Sequence, residues 1–154
     1  MTLAAAVALL GLVGPATSGS PRGVTFRFEA RLSPKEEVPP PTGVQGTPAG
    51  QFVAFYAWRT RTLIWMMRFG DLTGQATAAH IHMGKPGATG NILVHLCGPC
   101  PRPSHGTMWL TSEQASRLRN RPLYVNIHTA KNPAGEIRGR LSQPAEPTPG
   151  CQPC

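Results

Sequence analysis

Hydrophobic and polar residues alternate with a period of two along most of the chain beyond its first two dozen positions. Val24, Phe26, Phe28, Ala30 and Leu32 alternate with Arg27, Glu29 and Arg31, the pattern of a strand with one buried face. Gln51 to Trp58 repeats it. Leu63, Trp65, Met67 and Phe69 repeat it again beyond the turn Arg59-Thr60-Arg61-Thr62, so these two segments are expected to pair as a hairpin. Further strands are expected from Ala78 to Met83, from Asn91 to Leu96 with Ile92, Val94 and Leu96 on one face, and from Thr107 to Leu110. The last two run from Leu123 to Thr129, with Leu123, Val125 and Ile127 inward, and from Glu136 to Leu141. Pro39-Pro40-Pro41, Gly84-Lys85-Pro86-Gly87 and Lys131-Asn132-Pro133-Ala134-Gly135 break the pattern where turns belong. One helix is expected from Ser112 to Leu118, because Thr111 and Gln114 have capping-box spacing. Short strands joined by Gly and Pro turns predict an all-β fold, an antiparallel sandwich or barrel with one short helix.

The two ends depart from this pattern. Leu3 to Val13 is apolar and uncharged, too short to span a bilayer as a helix. Gly14-Pro15 breaks it, and Ala16-Thr17-Ser18 supplies small residues. Residues 1–18 therefore read as an export signal cleaved after Ser18. No basic residue precedes the apolar run; the alternative is a buried N-terminal helix. Residues 142–154 hold four Pro and two Cys and read as an extended tail. One domain, residues 19–141, lies between, and no other segment is long enough to cross a membrane. The expected location is the cell exterior, the periplasm or the cell surface.

Composition sharpens the choice of partner. Fifteen Lys and Arg against seven acidic residues leave a formal charge of +8, which attracts anionic partners. The basic residues are scattered, with no run of five and little aromatic interleaving. Specific nucleic-acid recognition is therefore not expected, and the partner is expected to be an extracellular protein or an anionic polymer.

Two constellations carry chemistry. His80 and His82 lie two apart on an expected strand, so both point to one face with Cα atoms roughly 6.6 Å apart. Ile81 and Ala79 point the other way. His128 is out of phase with Val125 and Ile127, so it too leaves the core face. If the two strands are neighbours, three imidazoles meet at one place, a set that suits copper or zinc and leaves a coordination position open. The competing reading is a hydrogen-bonded polar cluster that pins strands or loops. Glu136 shares a face of the last strand with Arg138 and, if that strand pairs with that of His128, is placed to orient an imidazole as an outer acceptor; the alternative is a surface ion pair between strands. The second constellation is Cys97-Gly98-Pro99-Cys100 and Cys151-Gln152-Pro153-Cys154. Structural disulfides, a metal site and a redox pair are all compatible with that spacing. An exported chain favours disulfides, with links between the Cys97/Cys100 loop and the Cys151/Cys154 tail expected. Trp65, Met67 and Met83 fall on core faces and read as packing.

Several words of the sequence, in order, resemble the chordin-type, or CHRD, domain family. They are Phe28-Glu29-Ala30-Arg31-Leu32, Glu37-Val38-Pro39-Pro40, Ala79-His80-Ile81-His82-Met83-Gly84, Gly87 and Gly90. Tyr124-Val125-Asn126-Ile127-His128-Thr129 and Asn132-Pro133-Ala134-Gly135-Glu136-Ile137-Arg138-Gly139 complete the set. The resemblance runs from about Thr25 to Leu141 and implies a secreted or surface module; it settles fold and compartment better than activity. The chain is also similar, more distantly, to the copper-zinc superoxide dismutase sandwich. That likeness implies a Greek-key fold, with His80, His82 and His128 matching copper ligands. The bridging histidine and acidic zinc ligands have no clear match. His105, in a Pro/Gly segment, is the candidate fourth ligand, and His95, on the Leu93 side of its strand, is harder to place. Two readings of function follow. One is a non-catalytic extracellular binding or structural module that holds one metal ion, copper rather than zinc. The other is a copper-dependent redox protein with dismutase-like chemistry. The missing ligands favour the first.

Overall fold

The computed structural model describes residues 24–142. The expected export signal, residues 1–18, and the Cys151/Cys154 tail lie outside the described residues. Eight strands form two four-stranded antiparallel sheets, one in the order β1-β2-β3-β6 and the other β5-β4-β7-β8. The first holds β1 (Thr25–Leu32), β2 (Ala49–Ala57), β3 (Thr62–Gly70) and β6 (Ser104–Trp109). The second holds β4 (Ala76–Met83), β5 (Ile92–Cys97), β7 (Leu123–Thr129) and β8 (Ile137–Arg140). After the β4–β5 pair in the opposite sheet, the chain returns to lay β6 beside β3, a Greek-key crossing of the sandwich.

Alternation explains the core. Phe26, Phe28, Phe52, Tyr56, Leu63 and Met67 face inward from the first sheet, and Ala79, Ile81, Val125, Ile127 and Ile137 from the second, all buried. Trp65 is buried with them. Met83 is half-buried, with its sulfur 3.3 Å from the Arg117 guanidinium. These residues pack rather than ligate. The one α-helix among the described residues, α1 (Ser112–Asn120), carries the expected capping box: the Gln114 amide donates to Thr111 Oγ1, and the Thr111 amide to Gln114 Oε1. Ala115 and Leu118 form its buried side.

Three expectations change. In β5, Val94 and Leu96 are buried, but Ile92 is exposed and Leu93 buried. The cause is α1, whose Gln114 amide donates to the Leu93 carbonyl and brings the helix over that residue. Strand β6 begins at Ser104, three residues earlier than expected, and pairs with β3 through Met67. Strand β7 is buried at every position, because its outer face is covered too.

The sheets converge where β1 ends beside β8. Ser33 and Arg138 exchange backbone hydrogen bonds of 2.9 and 3.1 Å. A Cβ on Gly139 would collide with the Arg31 carbonyl, so only glycine lets the edges approach. Gly139→Ala is expected to lower the free energy of unfolding in urea by about 2 kcal/mol; wild-type stability in that variant would contradict the close approach.

Candidate metal centre

The site occupies the outer face of the second sheet. Register sets His80 opposite Asn126, His82 opposite Tyr124 and Ala78 opposite His128 on the β4–β7 pair, and His80 opposite His95 on the β4–β5 pair. Since Ala79 and Ile81 take the core face, His80 and His82 must take the outer one. His80 is partly exposed, and His82 and His128 are buried. One potential ligand nitrogen from each lies within 4.8 Å of the others, and His80 Nδ1 is 3.0 Å from His128 Nε2.

Backbone carbonyls decide which nitrogens are free. His82 Nδ1 is 2.9 Å from the Gly90 carbonyl oxygen, and His128 Nδ1 is 2.9 Å from that of Pro133. A carbonyl only accepts, so both Nδ1 atoms carry hydrogen and both Nε2 atoms present lone pairs. His82 Nε2 is buried with no hydrogen-bond partner, and His128 Nε2 faces His80. Loop geometry makes this possible. A Cβ on Gly90 would collide with the Met83 carbonyl, so glycine there lets the loop descend onto β4. The Gly90 amide donates to the Tyr124 hydroxyl at 3.2 Å. The Tyr124 ring stacks on His82 at 4.8 Å with only 6° between planes, and the Arg138 guanidinium lies 3.4 Å from that ring's centre.

Burial lowers the pKa of all three imidazoles. His80 falls from 6.5 to about 4, through burial first and then the neighbouring His128, His95 and His82. Burial also lowers His82, against the opposing pull of the Gly90 carbonyl and the Asn126 side chain, and lowers His128, against that of the Pro133 carbonyl. Neutral imidazoles at neutral pH are the form that binds metal. At ordinary metal–nitrogen bond lengths, tetrahedral ligands stand about 3.3 Å apart. The His80–His128 pair already meets that spacing, and His82 reaches it by drawing in about 1 Å or more.

The remaining candidates fall elsewhere. His105 is not a fourth ligand: it lies exposed on β6, in the other sheet, opposite Met66. Pairing with β3 turned what read as a loop into a strand. Glu136 touches no imidazole and makes no surface ion pair. Its carboxylate is fully buried and accepts from the Thr73 amide at 2.6 Å, the Thr73 hydroxyl, the Thr129 hydroxyl at 2.6 Å and the Asn132 amide at 3.0 Å. The acceptor that orients His128 is instead Pro133, in the turn that Glu136 secures. Cys97 bonds to Cys100, with sulfurs 2.08 Å and Cα atoms 5.2 Å apart. The loop-to-tail links are thereby replaced by a bridge within the loop, where the two Cα atoms fall within ordinary disulfide reach. No helix N-terminus adjoins it.

His95 is the residue that sequence reasoning left out. Its ring packs edge-on against His80, centroids 4.7 Å apart, and it is exposed. With Val94 and Leu96 in the core, alternation already placed His95 on the outer face; which strand lay beside β5 was the missing information.

Residues 28–141 match the family described as CHRD domain. The chain belongs to the CHRD domain family. No curated protein matches it, and no solved structure does. CHRD domains are extracellular-type modules, and among the described residues no helix is long and apolar enough to cross a membrane. The histidine triad, Gly90, Pro133 and Glu136 all fall inside the matched span of the CHRD domain.

Proposed function

We propose that this CHRD-domain protein is an exported, non-catalytic binding module that holds one transition-metal ion, copper in preference to zinc, through His80, His82 and His128. The observation that carries the reading is the orphaned Nε2 of buried His82. Its ring is held at Nδ1 by the Gly90 carbonyl, which leaves the Nε2 lone pair unspent, and one ring nitrogen of each of the three histidines lies within 4.8 Å of the others. A hydrogen-bonded rim would spend that nitrogen on a donor, because an unpaired buried acceptor costs about 1–3 kcal/mol. Carbonyls that fix the far nitrogen of a histidine are also the usual outer support of metal ligands. Three imidazoles favour copper over zinc by intrinsic affinity. Among the described residues this is the one such cluster of His, Cys, Asp or Glu, and it contains no carboxylate. A second, bridged metal of the dismutase kind is therefore not part of the reading.

The test is metal analysis and copper titration of the purified protein beside His82→Ala and the double variant His80→Ala/His82→Ala. One ion per chain is expected in the wild type, with affinity reduced at least tenfold in His82→Ala. Equal, near-zero copper and zinc in all three proteins, after equilibration with the ions, would sink the metal reading.

A further inference from the structure

The outer face of the β1-β2-β3-β6 sheet carries chemistry of its own, in the sheet opposite the His80, His82 and His128 cluster. Its middle is apolar: register places Phe55 beside Ile64, with Met66 two residues along β3. Ile64 and Met66 are 50% and 52% exposed, and Trp109, on the edge strand β6, is 82% exposed. Soluble surfaces seldom gather such residues without a partner. Guanidinium groups flank the patch. Arg27 lies opposite Phe55, and Arg31 and Arg68 lie on either side of Gln51, all exposed. Glu29, paired with Arg27, is the one acidic residue on these strands.

Three kinds of occupant fit poorly. A second copy would set arginines against arginines in a chain of formal charge +8. Insertion of Ile64 and Met66 into a bilayer would drag Arg27 and Arg68, their neighbours on the same face, toward hydrocarbon at a cost of about 2.5–3.5 kcal/mol each. An acidic peptide would pair with the free backbone of β6 by strand addition and leave the apolar middle uncovered. A carboxylated polysaccharide satisfies both features. The C–H faces of its sugar rings lie flat on the indole and aliphatic side chains, and its carboxylates take bidentate hydrogen bonds from the flanking guanidiniums. The geometry points to this face as a binding surface for an acidic polysaccharide of the polyuronate type, centred on Phe55, Ile64, Met66 and Trp109 and flanked by Arg27, Arg31 and Arg68.

The experiment is titration of the full chain with polygalacturonate fragments in parallel with neutral dextran, polyglutamate and phosphatidylglycerol-containing vesicles. Polygalacturonate is expected to bind at least tenfold more tightly than the other three. Arg68→Gln and Trp109→Ala, both at exposed positions, are each expected to weaken binding at least fivefold. Lys131→Gln, which removes the same charge from the exposed turn between β7 and β8 of the other sheet, should change it less than twofold. The proposal is overturned by absence of polygalacturonate binding, by equal binding of polyglutamate or vesicles, or by equal losses in Arg68→Gln and Lys131→Gln, which would mark a diffuse effect of net charge.

Discussion

Replacing Glu136 by alanine is expected to lower the free energy of unfolding by about 3–5 kcal/mol, a large part of what a domain of this size possesses. The carboxylate is fully buried and is the meeting point of four donors. Two come from Thr73 in the link between β3 and β4, one from Thr129 at the end of β7, and one from Asn132 in the β7–β8 turn. Asn132 in turn binds the Thr42 amide at 2.7 Å, so the hub also ties down the long β1–β2 connection. Removing the acceptor strands the Thr73 N–H and leaves the Asn132 amide only its longer contacts to the Thr42 carbonyl and the Thr73 hydroxyl, both at 3.3 Å. Glu136→Gln is expected to cost almost as much, since its amide would point N–H at N–H. Burial pushes the Glu136 carboxyl up, but the donors on Thr129, Thr73 and Asn132 outweigh it and hold the carboxyl below its ordinary value. The unfolded chain therefore binds the proton more readily. The stabilisation is full above the unfolded pKa of 4.5 and is lost as pH falls through the depressed folded value. Urea unfolding at pH 7 checks the magnitude, and a loss below about 1 kcal/mol would contradict the hub. Because Pro133 lies in the same turn, the variant should also loosen His128 and weaken the proposed metal binding.

Most of the sandwich was legible because a strand with one wet face writes its burial directly into the sequence. β1 alternates without exception; in β3 the inward Leu63, Trp65 and Met67 are buried, while Phe69 is half-buried and the outward Ile64 and Met66 are apolar. The reading weakened where a distant segment covers the second face. Nothing local in Leu123–Thr129 announces that the loop through Gly90 and the turn through Pro133 will close over Tyr124 and His128. The same limit hid the true role of Glu136. It read as the first residue of the last strand, whereas β8 begins at Ile137, and its four donors come from segments up to 63 residues away in sequence. The triad itself could be narrowed because His80, His82 and His128 all leave the core faces. His105 misled because a Pro/Gly-rich segment conceals an edge strand. The cysteines misled because the short bridge and the long ones suit the same cysteine spacing, and only the loop's path distinguishes them.

Glu37 gives the clearest pH signature. Its side chain is buried against Gly135, where a Cβ would collide with the carboxyl, and Gly135 adopts a φ of +139° that favours glycine. Oε1 accepts from the Val38 amide at 3.2 Å, while Oε2, the neighbouring Asn126 Oδ1 and Arg138 Nη1 have no partner. Burial raises the Glu37 pKa from 4.5 to about 7, against the opposing Val38 amide, Arg138 charge and Asn126 side chain. In the protonated form Oε2–H can serve Asn126 Oδ1, which pairs two of the three orphans. Between pH 4.5 and 7 the folded chain thus binds more protons here than the unfolded chain does. Stability from this group is highest below pH 4.5, falls as pH rises, and reaches a penalty of about 3 kcal/mol above pH 7. The histidines act in the opposite sense. His80, at about 4 folded against 6.5 unfolded, contributes stability that is complete above pH 6.5 and is lost as pH falls toward 4. A wild-type profile alone therefore mixes the two, and the difference between wild type and Glu37→Gln separates them. The glutamine amide supplies the donor of the protonated acid at every pH. Glu37→Gln should accordingly gain about 2 kcal/mol more over wild type at pH 8 than at pH 5 in paired urea titrations of the metal-free protein. A difference that is the same at both pH values would show that Glu37 is ionised in the fold and that its carboxylate is held by Arg138 after all.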